Sequence, residues 1–343
     1  MKILMPEAST LTKGDVDLSK IEDYGDVIRY DNMSKDELIA AIADVDAILI
    51  NKSVLDSETL SHAGNLKYIG ECATGFNNID LEYCNEHGIT VTNVPDYSTN
   101  AVAQQVFAYI LHHYSKVSEY NDFVQDGGWI NSSTFAPFVF DSDELFGKTI
   151  GLVGYGKIGK AVAKIANAFG MNILVYTRSY GKALEASKNS RGEIDRTMLD
   201  GFLNHTDTFV SYVSLDNLLK HSDIVSVHCP LNAESEGLFG TELFAKMRKG
   251  AFFINTSRGP VVNEQALADA LKSGRLSGAA VDVLMQEPMA KDCPLLGAPN
   301  CTITPHVAWA PKTTRQRLFS VVLQNFDAYL KGTPKNVVNN PKI

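Results

Sequence analysis

The apolar positions fall into two kinds of run. Short, nearly unbroken apolar stretches occur at Lys2–Met5, Ala47–Ile50, Leu66–Gly70 and Ile89–Asn93, and again at Thr149–Val153, Asn172–Tyr176, Ile224–Val227, Phe252–Asn255, Gly278–Val283 and Thr302–Thr304. Runs this short, rich in Val and Ile and without alternation, predict strands buried on both faces. Between them, Ser34–Ala43, Leu81–His87 and Thr313–Leu330 carry apolar residues at helical spacing. Asn100–Tyr120 reads as one long helix. Alternating strands and helices predict parallel, doubly wound sheets, an α/β fold. The pattern breaks at Asn121–Phe146, polar and aromatic with little periodicity, which reads as an arm or linker.

The chain has 343 residues, enough for two domains, and 45% apolar residues, enough for a large core. Thirty-one Lys and Arg against 40 Asp and Glu leave a formal charge of −9, which argues against a nucleic-acid partner. Five cysteines are scattered with no C-x-x-C pair, so neither a zinc site nor a disulfide framework is expected. No apolar run reaches the roughly 18 residues of a membrane-spanning helix, and the N-terminus lacks a signal-peptide pattern. A cytoplasmic protein without membrane or metal is the expectation.

Gly154-Tyr155-Gly156-Lys157-Ile158-Gly159 follows one predicted strand and opens a helical pattern that leads to the next. In that setting G-x-G-x-x-G predicts a dinucleotide site. Gly154 permits the tight turn, Gly156 admits the pyrophosphate, Gly159 lets helix and strand approach, and the amides of Lys157 and Ile158 face the anion. At the end of the second strand an acid would hold the ribose 2′-hydroxyl; here Thr177-Arg178-Ser179 stand instead, with Lys182 beyond. Their lack of negative charge favours NADP(H), with NAD(H) left open.

Arg258, Glu287 and His306 each follow a predicted strand, where open α/β sheets place ligands. Arg258 offers a charged fork for a keto acid, His306 a proton for its carbonyl oxygen, and Glu287 a partner that stabilises the imidazolium.

Ala73–Asp80, Gly154–Gly159, Val227–Leu231, Asn255–Gly259, Asp282 with Glu287-Pro288, and Pro305-His306 together resemble the D-isomer-specific 2-hydroxyacid dehydrogenases. The resemblance implies a flavodoxin-like substrate domain, residues 1–99 plus 306–343, and an inserted Rossmann cofactor domain, residues 100–305. It implies a homodimer formed through an arm at about 118–147, with Phe123, Trp129, Phe135, Phe138 and Phe140 as anchors; an arm folded back on its own chain is the alternative. It makes Arg258, Glu287 and His306 the catalytic set, Thr74 and Gly75 a substrate-carboxylate loop, Asp282 the partner of the nicotinamide carboxamide, and Cys229-Pro230 a wall of the adenine pocket. Thr256 joins the cofactor residues.

Asn51-Lys52, Thr92–Pro95 and His306–Pro311 look most like the hydroxypyruvate reductase, or glycerate dehydrogenase, branch. Lys52 then serves a small polar 2-keto acid of the hydroxypyruvate or glyoxylate type, or is an ordinary exposed lysine. A D-lactate or 3-phosphoglycerate dehydrogenase, and a non-catalytic nucleotide sensor on the same fold, are the competing readings. Two departures from the family pattern stand out: Thr177 in place of the usual acid, and the long polar segment Ser179–Ser211, read as a surface insertion near the adenosine end.

Overall fold

The computed structural model describes residues 1–188, 192, 194 and 209–341. It divides into two units, Met1–Ser98 with Trp309–Ile343, and Thr99–Ala308.

The first unit holds strands β1 (Lys2–Met5), β2 (Asp26–Arg29), β3 (Ala47–Ile50), β4 (Tyr68–Glu71) and β5 (Thr90–Thr92). They pair in parallel, in the flavodoxin-like order β2-β1-β3-β4-β5. Alternate residues of β3 feed opposite cores: Ala47 and Leu49 on one face, Ile48 and Ile50 on the other. Helices α1 (Lys35–Ile42), α2 (Ser57–Leu60) and α3 (Leu81–Glu86) connect these strands. Ser34 opens α1 through a capping box: the Glu37 amide donates to Ser34 Oγ, and the Ser34 amide donates to Glu37 Oε2. The C-terminal helix, Lys312–Leu330, returns to this unit and buries Phe326 against Tyr68, ring centroids 5.0 Å apart.

The second unit begins with α4 (Thr99–Ser115) and α5 (Val117–Gln125). The single long helix expected over Asn100–Tyr120 is therefore two. Lys116 adopts a left-handed φ of 53°, which ends α4, and its carbonyl accepts the Tyr120 amide to start α5. The apolar stripe of α4 is buried at Val102, Val106 and Ile110, whereas α5 buries no residue.

Seven parallel strands follow: β6 (Thr149–Val153), β7 (Asn172–Tyr176), β8 (Ser211–Tyr212), β9 (Ile224–Val227), β10 (Ala251–Asn255), β11 (Leu276–Val281) and β12 (Cys301–Ile303). Their order is β12-β11-β10-β9-β6-β7-β8. The chain runs outward from β6 through β7 to β8, then returns to β9 on the other side of β6. That reversal is where an open α/β sheet leaves a crevice. Around the sheet lie α6 (Lys157–Ala168), α7 (Arg178–Ala186), α8 (Leu215–His221), α9 (Thr241–Lys246) and α10 (Glu264–Lys272). Beyond α7, residues 189–191, 193 and 195–208 of the long polar segment lie outside the described residues.

Two boundaries move in ways that matter for the site. The strands expected at Gly278–Val283 and Thr302–Thr304 end at Val281 and Ile303, freeing Asp282 and Thr304 for turns. His306, expected to open the return into the substrate domain, belongs to the second unit. Its amide donates to the Asp282 carbonyl at 2.8 Å, which ties it to the end of β11.

Candidate active site

The glycine turn links β6 to α6. Gly154 has a φ of +101°, and a Cβ there would stand 2.7 Å from the backbone of His228 and Cys229. Both facts demand glycine. A Cβ on Gly159 would stand 2.5 Å from the Gly154 carbonyl oxygen, so this glycine sets the close packing of helix on turn. Around Gly156 nothing lies within 4 Å. Gly156 caps α6 without a side-chain bond, so the first-turn amides, Lys157 and Ile158 among them, lie at the positive end of the helix. A cleft of about 1030 Å³ opens here, its walls including Gly154, Gly156, Thr177, Arg178, Cys229 and Pro230.

At the other end of the cleft, Thr177 caps α7, its Oγ1 accepting the Tyr180 amide at 3.1 Å. The Ser179 hydroxyl lies 3.1 Å from the same oxygen. Arg178 Nη1 donates to Glu234 Oε2 at 2.6 Å, and Lys182 Nζ to Glu234 Oε1 at 3.1 Å. No motif in the sequence points to Glu234, which stands 56 residues from Arg178, on the loop after β9. His228 also faces the cleft, and burial lowers its pKa to about 4, so it is neutral there. Burial pushes the Cys229 thiol up.

The catalytic candidates cluster beyond β10, β11 and β12. Asn255, almost fully buried, knits the turn after β10. Its Oδ1 accepts from the Ser257 amide and hydroxyl at 3.0 and 2.9 Å, and its Nδ2 donates to the Arg258 carbonyl at 3.0 Å. Arg258 is half-buried and donates from Nη1 to the Ser257 carbonyl at 2.8 Å. Gly259 follows, and a Cβ there would fall 1.8 Å from the Leu284 carbonyl oxygen. The Leu284 amide in turn donates to Glu287 Oε1 at 3.0 Å, and Glu287 Oε2 meets His306 Nδ1 at 2.7 Å. The His306 ring is 25% and the Glu287 side chain 38% exposed.

His306 sits at a left-handed φ of 53°, held by the turn around Asp282. Asp282 is 2% exposed. Its Oδ1 accepts from Thr304 Oγ1 at 2.5 Å and from the Val307 amide at 2.9 Å; its Oδ2 accepts from the Ala308 amide at 2.9 Å. Tyr109 hydrogen-bonds the Thr304 hydroxyl. The carboxylate expected to meet the nicotinamide is thus directed at the turn carrying His306. Thr256 Oγ1 is buried with no hydrogen-bond partner among the described residues. That orphaned hydroxyl, the open Gly156 and the glycine-only approach at Gly154 fit a nicotinamide dinucleotide.

The other candidates lie in the first unit. Lys52 follows β3 and is exposed, its ammonium 6.0 Å from the centroid of the Trp309 ring. Thr74 and Gly75 follow the neighbouring β4, and Thr74 Oγ1 donates to the Val94 carbonyl at 2.8 Å. Two acids unmentioned by any motif support this edge. Glu7 Oε1 accepts the amides of Asn51, Lys52 and Ser53 at 2.7, 2.8 and 2.9 Å. Glu71 is buried, accepts Asn78 Nδ2 at 3.0 Å on one oxygen, and has no partner for the other among the described residues. Burial pushes its pKa up to about 9. Neither acid lies in a stretch with a motif; only their place just past β1 and at the end of β4 signals them.

In the arm, Phe140 packs edge-on against Tyr120 and Phe123, and Trp129 Nε1 donates to the Phe135 carbonyl. Phe123 and Phe140 are thus partly covered by their own chain. Phe135 and Phe138 are 92% and 94% exposed. Among the described residues no group of acids, histidines or cysteines could hold a metal, and no helix is long and apolar enough to cross a membrane.

Residues 107–308 match the family model described as D-isomer specific 2-hydroxyacid dehydrogenase, NAD binding domain. A hydroxypyruvate reductase from Blautia hydrogenotrophica is 40% identical over 342 residues, covering 99% of this chain and 100% of that protein. Among solved structures, an acyclic imino acid reductase in complex with NADPH and D-Arg superposes with a TM-score of 0.80 at 30% identity, over 98% of this chain and 100% of that one. The D-lactate dehydrogenase of Aquifex aeolicus, complexed with NAD and lactic acid, gives a TM-score of 0.77 at 27% identity over 100% of both chains. The chain belongs to the D-isomer-specific 2-hydroxyacid dehydrogenases, enzymes that use a nicotinamide cofactor.

Proposed function

We propose that this enzyme reduces a small polar 2-keto acid, of the hydroxypyruvate or glyoxylate type, to the D-2-hydroxy acid, reversibly and with NADPH favoured over NADH. The observation that carries the reading is the Glu287–His306 pair, 2.7 Å apart and anchored at both ends by backbone. The nicotinamide supplies the hydride. Arg258 binds the carboxylate and draws charge toward the keto oxygen. His306 delivers the proton to that oxygen; with Nδ1 committed to Glu287, Nε2 is the nitrogen that exchanges it. Glu287 offsets the charge of the imidazolium. Thr256, Cys229 and Pro230 line the cofactor, and in the first unit the family resemblance gives Lys52, Thr74 and Gly75 a substrate role.

NADPH is favoured because two cations, Arg178 and Lys182, flank a strand end that carries no acid. A homodimer is favoured because Phe135 and Phe138 expose apolar surface on the arm, and the five free thiols suit a cytoplasmic setting. The test is a kinetic panel at 340 nm with hydroxypyruvate, glyoxylate, pyruvate and 3-phosphohydroxypyruvate, each with both cofactors. The highest kcat/KM is expected for one of the first two with NADPH. A preference for pyruvate or the phosphorylated acid overturns the substrate, and higher kcat/KM with NADH overturns the cofactor. Sedimentation of the wild type against Phe135→Ser/Phe138→Ser tests the dimer.

A further inference from the structure

We infer that Glu234 is a specificity residue of the cofactor cleft, whose carboxylate competes with a ribose 2′-phosphate for Arg178 and Lys182. The inference rests on reading those two cations as the 2′-phosphate ligands. Arg178 opens α7, and Lys182 follows one turn later on the same face. Glu234 reaches both from a different loop and gives each one oxygen. Lys182 first, and Arg178 with it, hold its carboxyl below the usual carboxylate range, so it is an anion in place.

The loop presenting this carboxylate is built, not loose. Asn232 Oδ1 accepts the Glu234 amide at 3.0 Å. The Asn232 amide donates to Ser235 Oγ at 2.8 Å, and Ser235 Oγ donates to the Pro230 carbonyl at 2.7 Å. Ser235 is buried at 6% exposure, and the loop is part of the cleft wall. The three charged side chains are themselves open to water, 52% exposed for Glu234, 57% for Arg178 and 68% for Lys182. A fixed loop with an exposed ion pair at its tip makes an exchangeable contact.

The chemistry of the exchange follows. A phosphate offers more negative charge and three acceptor oxygens, so it outcompetes one carboxylate for two cations. It must still displace Glu234 and then lie beside it, a like charge. A dinucleotide with a free 2′-hydroxyl meets no such competition. Glu234 therefore narrows the gap between the phosphorylated and unphosphorylated cofactors, which an Arg–Lys pair alone would open wide.

The test is calorimetric binding of 2′,5′-ADP and 5′-ADP to the full chain, for wild type, Glu234→Gln and Glu234→Asp. Glu234→Gln is expected to tighten 2′,5′-ADP by about three- to tenfold relative to 5′-ADP. The gain shrinks as salt is raised, and Glu234→Asp stays near wild type. An unchanged ratio of the two affinities in Glu234→Gln overturns the inference. The cofactor preference fails separately. If wild type prefers the unphosphorylated ligand but Glu234→Gln still raises the ratio, the competition stands and the NADPH preference falls. If wild type prefers 2′,5′-ADP and the ratio does not move, the preference stands and the competition falls.

Discussion

Carboxylates stand at or just past the ends of parallel strands in both sheets, and two pairs of them are used in opposite ways. In the second unit, Glu287 and Glu234 are open to solvent and paired with His306 or with Arg178 and Lys182. In the first unit, Glu7 and Glu71 are buried; one is spent on three amides, and the other is left half-satisfied. The open pairs can trade a proton or a charge with a ligand. The buried acids cannot trade anything without disturbing the fold. Position in an α/β sheet therefore offers a site, and solvent access decides whether it becomes chemistry or architecture.

The strongest way to break this contrast is at His306. His306→Ala removes the proposed proton donor and should lower kcat by about 10²–10⁴-fold, with wild-type circular dichroism; near-normal turnover would remove the second unit's claim to the chemistry. Next comes Glu71. Its carboxyl titrates near 9 when folded, against an ordinary value of 4.5. The folded state keeps a proton that the unfolded chain releases, so stability is full below about pH 4.5 and is lost as pH rises toward 9. At neutral pH that cost is on the order of 3 kcal/mol. Glu71→Gln should therefore flatten the fall in Tm between pH 5 and 9; an equal slope in both proteins would show that Glu71 is not held neutral.

Glu287→Gln tests the open pair more gently. It keeps the shape but loses the charge facing the imidazole, and kcat should drop by about 10- to 100-fold, the scale of a hydrogen bond to a charged group, with KM little changed. A loss confined to KM would make Glu287 a binding residue instead. The smallest effect is Glu234→Gln on stability. All partners are exposed, so Tm should not shift measurably at any salt concentration; a clear drop would mean the contact is structural.

Much of this was legible from the chain alone. Lys2–Met5, Ala47–Ile50, Thr149–Val153, Asn172–Tyr176 and Ile224–Val227 emerge residue for residue, because strands covered on both faces leave continuous apolar runs. The turn at Gly154 was legible because backbone geometry permits few alternatives there. By contrast, β2 is an edge strand with no fully buried residue, and β8 has two residues; neither leaves a pattern. The break at Lys116 is a single dihedral in an otherwise helical stretch. Glu234, Asp282 and Glu7 act through contacts that reach far along the chain or run to main-chain atoms, which spacing does not encode. The resemblance to a family pointed to Asp282 but not to its grip on the turn of His306.

That grip has an evolutionary corollary. Asp282, Glu287, His306 and Ala308 depend on one another within a single stretch of one unit, as a self-supporting cassette. On the proposed reading, descendants of such an enzyme inherit proton delivery intact while the loops around it change.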